Sequence, residues 1–100
     1  MAVRIYVLYN TPTDPDHFES YYVGTHVPLV EKVPGVTDFQ YGKVQSALDG
    51  QPTDLFWIAT LTFASMEDLG AAMGTPEGAA TGEDVPNFAT GGVRIILAEA

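Results

Sequence analysis

The sequence predicts an α+β fold of the ferredoxin-like type, with the element order βαββαβ and a four-stranded antiparallel sheet that carries helices on one face. Two runs, residues 3–9 and 54–63, are apolar on both alternating faces, as expected for central strands. Each run is followed by a helix-start signal, and two further strand-like runs complete the order. With 100 residues, the chain is expected to form a single domain spanning residues 1–100.

Composition narrows the classes of function. Hydrophobic residues make up 46% of the chain, which is enough for a packed core. The net charge of −9 comes from 13 acidic and 4 basic residues, and the basic residues never cluster, so neither nucleic acid nor an anionic membrane is an expected partner. The absence of cysteine excludes thiol nucleophiles and disulfides. The N-terminus lacks the features of a secretory signal, so we expect a cytoplasmic protein.

The first strand and the first helix are the most clearly marked elements. Val3–Tyr9 is rich in β-branched and aromatic residues and predicts a strand. Asp14 followed by Pro15 predicts a helix N-terminus. Because Pro28 disfavours a helical conformation at Val27, we expect the regular helix to end near His26 or Val27, with a looser turn through Val33.

Helical periodicity divides the side chains of this helix between two faces. At 100° per residue, one inward line holds Phe18, Tyr22 and Thr25, with Leu29 in register beyond them. Tyr21 and His26 are expected on its two flanks. His17 faces away and is expected to be a solvated surface residue.

The second half of the chain repeats the pattern with weaker signals. Pro34-Gly35 fits a type II turn, and residues 36–45 alternate imperfectly, which predicts a half-exposed edge strand. Residues 54–63 predict a central strand, and Ser65 with Asp68 predicts a helix cap. Glycines at positions 78 and 82 predict an irregular segment over residues 77–89, and residues 93–98 form the last strand.

This layout leaves one sheet face without a helix. Exposed apolar patches of that size are unusual in soluble monomers. We therefore expect a homodimer in which two sheets pack through their open faces.

Several segments together resemble the EthD family, whose name refers to ethyl tert-butyl ether degradation, within the dimeric α+β barrel superfamily. The segments are VLYNTPTDPDHFESYYVGTHVPLVEKVPGV, TPEG and DVPNFATGG, and they follow one another in the family's order. The resemblance implies a ferredoxin-like subunit whose sheet forms a barrel with that of a second subunit. Relatives in the superfamily include cofactor-free monooxygenases, lactone isomerases, polyketide cyclases and haem proteins, so the resemblance implies little about the reaction.

His26 and Tyr22 are the candidate catalytic residues. The imidazole pKa suits proton transfer near neutral pH, and Tyr22 lies one helical turn earlier, where its phenol can orient a substrate. The alternative is a structural histidine that caps helix-end carbonyls or pairs with a nearby acid. Spacing alone favours the structural alternative, and the THVPL segment, which carries part of the family resemblance, brings the two interpretations to nearly equal support.

Aromatic residues elsewhere are candidates for substrate binding, although for most of them a place in the core is the favoured interpretation. We select Tyr6, Phe39 and Trp57 as candidate substrate-binding residues. The two histidines lie nine residues apart on different faces, so no metal site is expected, and we expect no cofactor. Haem through His26 is disfavoured because so short a chain has little room for a macrocycle.

Two functional hypotheses follow. In the first, the protein binds a small hydrophobic, oxygenated metabolite of a degradative pathway and acts on it without a cofactor, by proton transfer, oxygenation or isomerisation, with His26 moving the proton. In the second, the protein is a non-catalytic accessory or binding protein of such a pathway, and His26 is structural.

Overall fold

The computed structural model describes residues 1–100 and confirms the ferredoxin-like α+β fold. Its strands are β1 (Val3–Asn10), β2 (Val36–Lys43), β3 (Leu55–Phe63) and β4 (Val93–Glu99). They form one antiparallel sheet in the order β2-β3-β1-β4. The two strands that are apolar on both faces, β1 and β3, therefore occupy the centre, as predicted.

The register of the sheet decides which side chains face the helices. Val7 pairs with Ala59 of β3 and Ile95 of β4, and Tyr9 pairs with Trp57. Val7, Tyr9, Ala59 and Trp57 are buried. Because side chains alternate along a strand, the odd-numbered residues of β1 point to the helices and the even-numbered ones point to the opposite face.

The first helical segment is longer than the sequence predicts and contains a π turn. Helix α1 (Pro15–Tyr21) leads into a π turn (Tyr22–His26), which leads into helix α2 (Val27–Glu31). Asp14 caps α1 as predicted, accepting a hydrogen bond from the His17 backbone N–H at 3.1 Å.

The prediction that the helix ends near His26 or Val27 was wrong. Val27 keeps helical angles, with φ −55° and ψ −48°, and its backbone N–H reaches the carbonyl of Tyr22 five residues earlier. Proline crowds the carbonyl four residues before it in a regular α-helix. The wider π turn lies just before Pro28, which is how the backbone stays helical as it reaches the proline.

The π turn also changes which side chains face inward. Thr25, predicted on the inward line, is exposed, Leu29 is only half-buried, and His26 is buried. A π turn holds more residues per turn than an α-helix, so it rotates His26 from the flank onto the line of Phe18 and Tyr22.

The second helical segment is more regular than predicted. Helices α3 (Met66–Met73) and α4 (Pro76–Asp84) are followed by a 3₁₀ turn (Val85–Asn87). Ser65 caps α3, as predicted, and Thr75 caps α4 by accepting a hydrogen bond from the Gly78 N–H at 3.1 Å. The irregular structure expected over residues 77–89 was wrong for residues 77–84, because α4 packs against α3 and tertiary contacts outweigh the low helix propensity of glycine.

Aromatic rings fill the space between sheet and helices. Phe18, Tyr22, Phe63 and Phe88 are almost fully buried, as is Tyr9 on the facing strand. The ring of Phe18 lies 5.1 Å from that of Phe88 in an edge-on arrangement. Such contacts add to the stabilisation from burial alone.

The other sheet face carries no helix. Leu8 and Ile58 pair across β1 and β3 on this face, and Ile96, which is 41% exposed, pairs with Tyr6 between β4 and β1. No helix is long and apolar enough to span a membrane.

Gly78 holds α4 against the end of α3 and gives a test of the packing. A Cβ atom at Gly78 would clash with the carbonyl oxygen of Ala72, whereas one at Gly82 would meet nothing within 4 Å. We predict that Gly78→Ala lowers the free energy of unfolding by about 2 kcal/mol or more, because backbone must move. The control Gly82→Ala should raise it by about 0.5–1 kcal/mol, since alanine favours helix. Denaturant unfolding measures both, and equal effects would refute the contact.

Candidate functional site

His26 ends the π turn and points into the protein. Its side chain is only 4% exposed, and its ring lies 5.1 Å from that of Tyr22 and 4.8 Å from that of Phe88. Tyr22 itself is 1% exposed. The two residues predicted to cooperate are therefore adjacent and buried.

Asp84, the last residue of α4, is the polar partner of His26. One carboxylate oxygen lies 2.9 Å from His26 Nδ1, and the other accepts hydrogen bonds from the Tyr21 hydroxyl at 2.6 Å and the Asn87 side-chain amide at 3.1 Å. The Asn87 amide also reaches the Tyr21 hydroxyl oxygen, at 3.3 Å. Three donors thus surround one buried carboxylate, which is the arrangement that makes such burial tolerable.

The pKa shifts within this network indicate its protonation state. Burial raises the pKa of Asp84, but the hydrogen bonds from Tyr21, His26 and Asn87 outweigh burial and lower it. Burial lowers the pKa of His26, and the hydrogen bond to Asp84 opposes this without reversing it. At neutral pH, Asp84 is therefore a carboxylate and His26 a neutral imidazole whose Nδ1–H donates to it. That tautomer leaves the Nε2 lone pair free to accept a proton.

A cavity of about 170 Å³ lies beside His26, between the sheet and the helices. We call it the His26 cavity. Its walls are mostly apolar, and its lining residues are Ile5, Val7, Tyr9, Tyr22, His26, Val30, Ala59, Leu61, Met73, Gly78, Thr81, Gly82, Val85 and Ile95. The exposed members Met73, Gly82 and Ile95 mark its mouth, and the fully buried Tyr9 and Tyr22 mark its inner end.

Two phenols share the inner end of this cavity with His26. The Tyr9 and Tyr22 rings lie 5.9 Å apart, and neither hydroxyl donates a hydrogen bond to another protein group. Burial raises the pKa of both tyrosines, so both hydroxyls stay protonated and act as donors. His26 Nε2 also lacks a partner within the protein.

The candidate substrate-binding residues do not line this cavity. Tyr6 is on the opposite sheet face, because alternation places it between the inward Ile5 and Val7, and Arg4 lies 3.5 Å from its hydroxyl. Phe39 is half-buried on the edge strand β2, beside Tyr41.

Trp57 packs against Tyr22 but does not line the cavity. It is 5% exposed and its ring lies 5.1 Å from that of Tyr22. Its indole Nε1 is buried and meets no acceptor with good hydrogen-bond geometry, but it lies near enough to the Tyr22 hydroxyl to oppose the rise in the pKa of that phenol.

Sequence reasoning missed Tyr9 and Asp84. Tyr9 follows the two-residue alternation of Val3, Ile5 and Val7, so its inward direction was readable from the strand pattern. Asp84 lies 58 residues after His26, and only the packing of α4 brings the two together. The one sequence feature that marks Asp84 is its position at the start of the DVPNF segment, which contributes to the family resemblance.

No group of three or more histidine, cysteine, aspartate or glutamate side chains is placed to hold a metal ion. His26 and Asp84 are two neighbouring side chains of these types, but they are hydrogen-bonded to each other. The arrangement is suited instead to proton transfer, because it combines a free imidazole nitrogen, a carboxylate that fixes the tautomer and an adjacent cavity.

Three solved structures have the same fold as this chain, although their sequence identity to it is low. They are SnoaB from Streptomyces nogalater, a cofactor-independent oxygenase (TM-score 0.70, 14% identity, 99% and 92% of the two chains), and a hydroxynitrile lyase from Passiflora edulis (0.79, 12%, 97% and 91%). The third is a dimeric ferredoxin-like protein of unknown function from Jannaschia sp. CCS1 (0.79, 13%, 100% of both chains).

Two relatives with higher sequence identity and a family model indicate the family of this chain. The chain is 42% identical over 96 residues to an uncharacterized 11.0 kDa protein of the thcB-thcC intergenic region of Rhodococcus erythropolis, covering 96% of this chain and 92% of that protein. The crystal structure of an EthD family protein from Bacillus halodurans C-125 matches with a TM-score of 0.91 and 30% identity over 100% and 99% of the two chains. The EthD domain model matches residues 10–92. The chain therefore belongs to the EthD family.

Proposed function

We propose that this protein binds a small hydrophobic, oxygenated metabolite in the His26 cavity and that His26 transfers a proton to or from it without a cofactor. The observation that carries the proposal is the state of His26: Nδ1 is fixed by Asp84, while Nε2 has no protein partner beside a cavity. The family name links its members to ethyl tert-butyl ether degradation, and a degradative pathway is the setting that we propose.

The chemistry follows from the hydrogen bonds. When Nε2 accepts a proton, the imidazole becomes a cation that faces the Asp84 carboxylate at 2.9 Å. That carboxylate stabilises the cation and holds the ring in one orientation, so Asp84 is a positioning residue. Tyr21 and Asn87 fix the carboxylate in turn.

The fold-level neighbours support a cofactor-free reaction. Two proteins with this fold are, by their names, a cofactor-independent oxygenase and a hydroxynitrile lyase. The first of these names describes a reaction on this fold that needs no cofactor, which is consistent with a cofactor-free proton transfer by His26.

A second candidate function is a non-catalytic accessory or binding role in which His26 is structural. The observation that favours it is the burial of the His26–Asp84 pair, which joins the π turn to the end of α4. A pair of this kind contributes to the fold whether or not it reacts.

An NMR titration separates the two functions. Phenol, a ring with one hydroxyl, is small enough for the cavity and can donate to Nε2. We predict that phenol shifts the ¹⁵N resonance of His26 Nε2 in a saturable way, while the exposed imidazole of His17 in the same spectrum does not move. A His26 resonance that ignores phenol, with His26→Gln changing stability alone, would favour the accessory role.

The carboxylate of Asp84 gives a second test through the tautomer of His26. In Asp84→Asn, the amide oxygen is expected to keep the Tyr21 and Asn87 donors, which leaves the amide NH₂ to face His26 Nδ1. We predict that His26 then carries its proton on Nε2 and loses its free lone pair toward the cavity. Nitrogen chemical shifts and couplings measure the tautomer directly. An unchanged Nδ1–H tautomer would contradict the positioning role.

We also propose a homodimer formed through the open sheet face. Apolar side chains at Leu8, Ile58 and Ile96 support it, and a neighbour of the same fold is described as dimeric. Covering this face removes apolar surface from water at about 25 cal/mol per Å². The cytoplasmic location remains a prediction from the sequence.

Sedimentation velocity at micromolar concentration tests the dimer. We predict a species of twice the 10.7 kDa chain mass. Ile58→Asp should yield a monomer, because a carboxylate buried in an apolar interface costs several kcal/mol. Leu48→Asp is the matched control, since Leu48 is fully exposed in a loop outside the sheet and its replacement should leave the dimer intact. A monomeric wild type would refute the proposal.

A further inference from the structure

The inner end of the His26 cavity has three polar groups whose hydrogen-bonding capacity the protein does not fully use. They are the hydroxyls of Tyr9 and Tyr22 and the Nε2 atom of His26, on side chains that are 1%, 1% and 4% exposed. Their side chains are buried, but these three atoms, unlike Trp57 Nε1, are not sealed within the protein. Polar atoms with unused hydrogen-bonding capacity beside an apolar cavity are suited to binding a ligand. These three groups surround one space, so we expect a single ligand to satisfy them together.

The three groups define the chemistry of that ligand. Each phenol offers a hydrogen that needs an acceptor, and two phenols that face the same space can donate to one oxygen. Neutral His26 offers a lone pair, because Nδ1–H is already engaged with Asp84. The ligand must therefore present an acceptor oxygen to the tyrosines and a removable proton to the histidine.

The size and lining of the cavity limit the rest of the ligand. A cavity of about 150 Å³ lined by apolar side chains takes up benzene, and the His26 cavity has about 170 Å³. Its walls beyond the polar end are formed by Ile5, Val7, Ala59 and Leu61. These features suit a ligand of about one or two fused rings with no charge remote from the polar end.

We propose, on the basis of the proposed function, that the substrate is an enolisable ketone whose carbonyl oxygen accepts hydrogen bonds from Tyr9 and Tyr22, while His26 Nε2 removes the proton from the adjacent carbon. Tyr9 and Tyr22 are then the residues that select a carbonyl compound over a hydrocarbon of the same shape. Both would contact the substrate directly.

The step balances without an oxidant or a second reactant. The bond between the α-carbon and its hydrogen breaks, the proton moves to Nε2, and the electron pair forms the carbon–carbon double bond of an enolate. The negative charge collects on the oxygen between the two hydroxyls, which is where donors contribute most to lowering the barrier. Return of a proton from the imidazolium to carbon completes the exchange.

The environment suits both halves of the step. The raised pKa values of Tyr9 and Tyr22 keep the hydroxyls protonated, so they remain donors to the enolate oxygen. The Asp84 carboxylate, 2.9 Å from Nδ1, stabilises the imidazolium that forms. Positive charge and negative charge thus develop next to groups already placed for them.

A matched pair of probes tests the substrate class. Indan-2-one and indane have nearly the same shape, and only the ketone has an acceptor oxygen and acidic α-protons. We expect the full-length protein to bind indan-2-one about tenfold more tightly than indane, because one or two hydrogen bonds distinguish them. In D₂O, we expect the protein to accelerate exchange of the α-protons, as followed by proton NMR, and His26→Gln to return exchange to the background rate.

The tyrosines are tested by single hydroxyl deletions. Tyr9→Phe and Tyr22→Phe should each slow the exchange about 100-fold and reduce the preference for the ketone. The unfolding midpoint of Tyr9→Phe should be unchanged or higher, because its hydroxyl has no protein partner, whereas that of Tyr22→Phe should be unchanged or slightly lower, because the Trp57 indole loses its nearby acceptor. Tyr6→Phe, on the opposite sheet face, is the matched control and should exchange like the wild type.

The outcomes separate this inference from the proposed function on which it rests. Equal binding of indane and indan-2-one, or exchange that is unchanged in both Tyr→Phe variants, would overturn the ketone assignment while leaving a cavity that binds hydrophobic molecules. A His26 resonance that responds to neither probe nor to phenol would overturn the proposed function itself. Preference for the ketone, with exchange that depends on Tyr9, Tyr22 and His26, supports both.

Discussion

The hydrogen bond between His26 and Asp84 is the constraint on which the helical layer and the site both depend. It joins the end of the π turn to the end of α4 across 58 residues of sequence, inside the protein. A carboxylate that is 8% exposed would be strongly destabilising alone, and the donors from His26, Tyr21 and Asn87 make its burial tolerable. Because all three donors must arrive together, the network fixes the position of α4 over the sheet. The space left beneath α4 is the His26 cavity.

The π turn explains why His26 is available for this bond. In a regular α-helix from Pro15 onward, Thr25 would share the inward line and His26 would sit on its flank. The wider turn over residues 22–26 places Phe18, Tyr22 and His26 on one line and moves Thr25 into solvent. Local π turns are frequent at functional sites, and here the turn directs the His26 side chain into the protein.

Much of the fold was predictable from the sequence, because strand alternation, caps and punctuation are local signals. Asp14 and Ser65 cap helices where the sequence places them, and β1 and β3 are central because both of their faces are apolar. The π turn and the regularity of α4 were not predictable. Each depends on tertiary packing: the turn relieves Pro28, and the close approach of α3 stabilises a helix that contains two glycines.

For the site, the sequence predicted His26 and Tyr22 because they lie on one helix face, where spacing is informative. It did not predict Asp84, because no sequence spacing relates residues on different helices, and it overlooked Tyr9, whose strand position did specify its direction. Tyr6, Phe39 and Trp57 were chosen by residue type. Type alone does not distinguish the two faces of a sheet or a cavity wall from the core behind it.

The polar groups of the interior form two sets. One set stabilises the fold through hydrogen bonds within the protein, and the other is available to a ligand. Asp84, Tyr21, Asn87 and the Nδ1 atom of His26 satisfy one another, so they stabilise the structure with no ligand present. The hydroxyls of Tyr9 and Tyr22 and the Nε2 atom of His26 take no part in that network, and their residues line the cavity. A phenylalanine at position 9 would fill the same space without a hydroxyl that needs a partner. The imidazole of His26 belongs to both sets, one nitrogen to each, so a single side chain links the stability of the helical layer to the chemistry of the cavity.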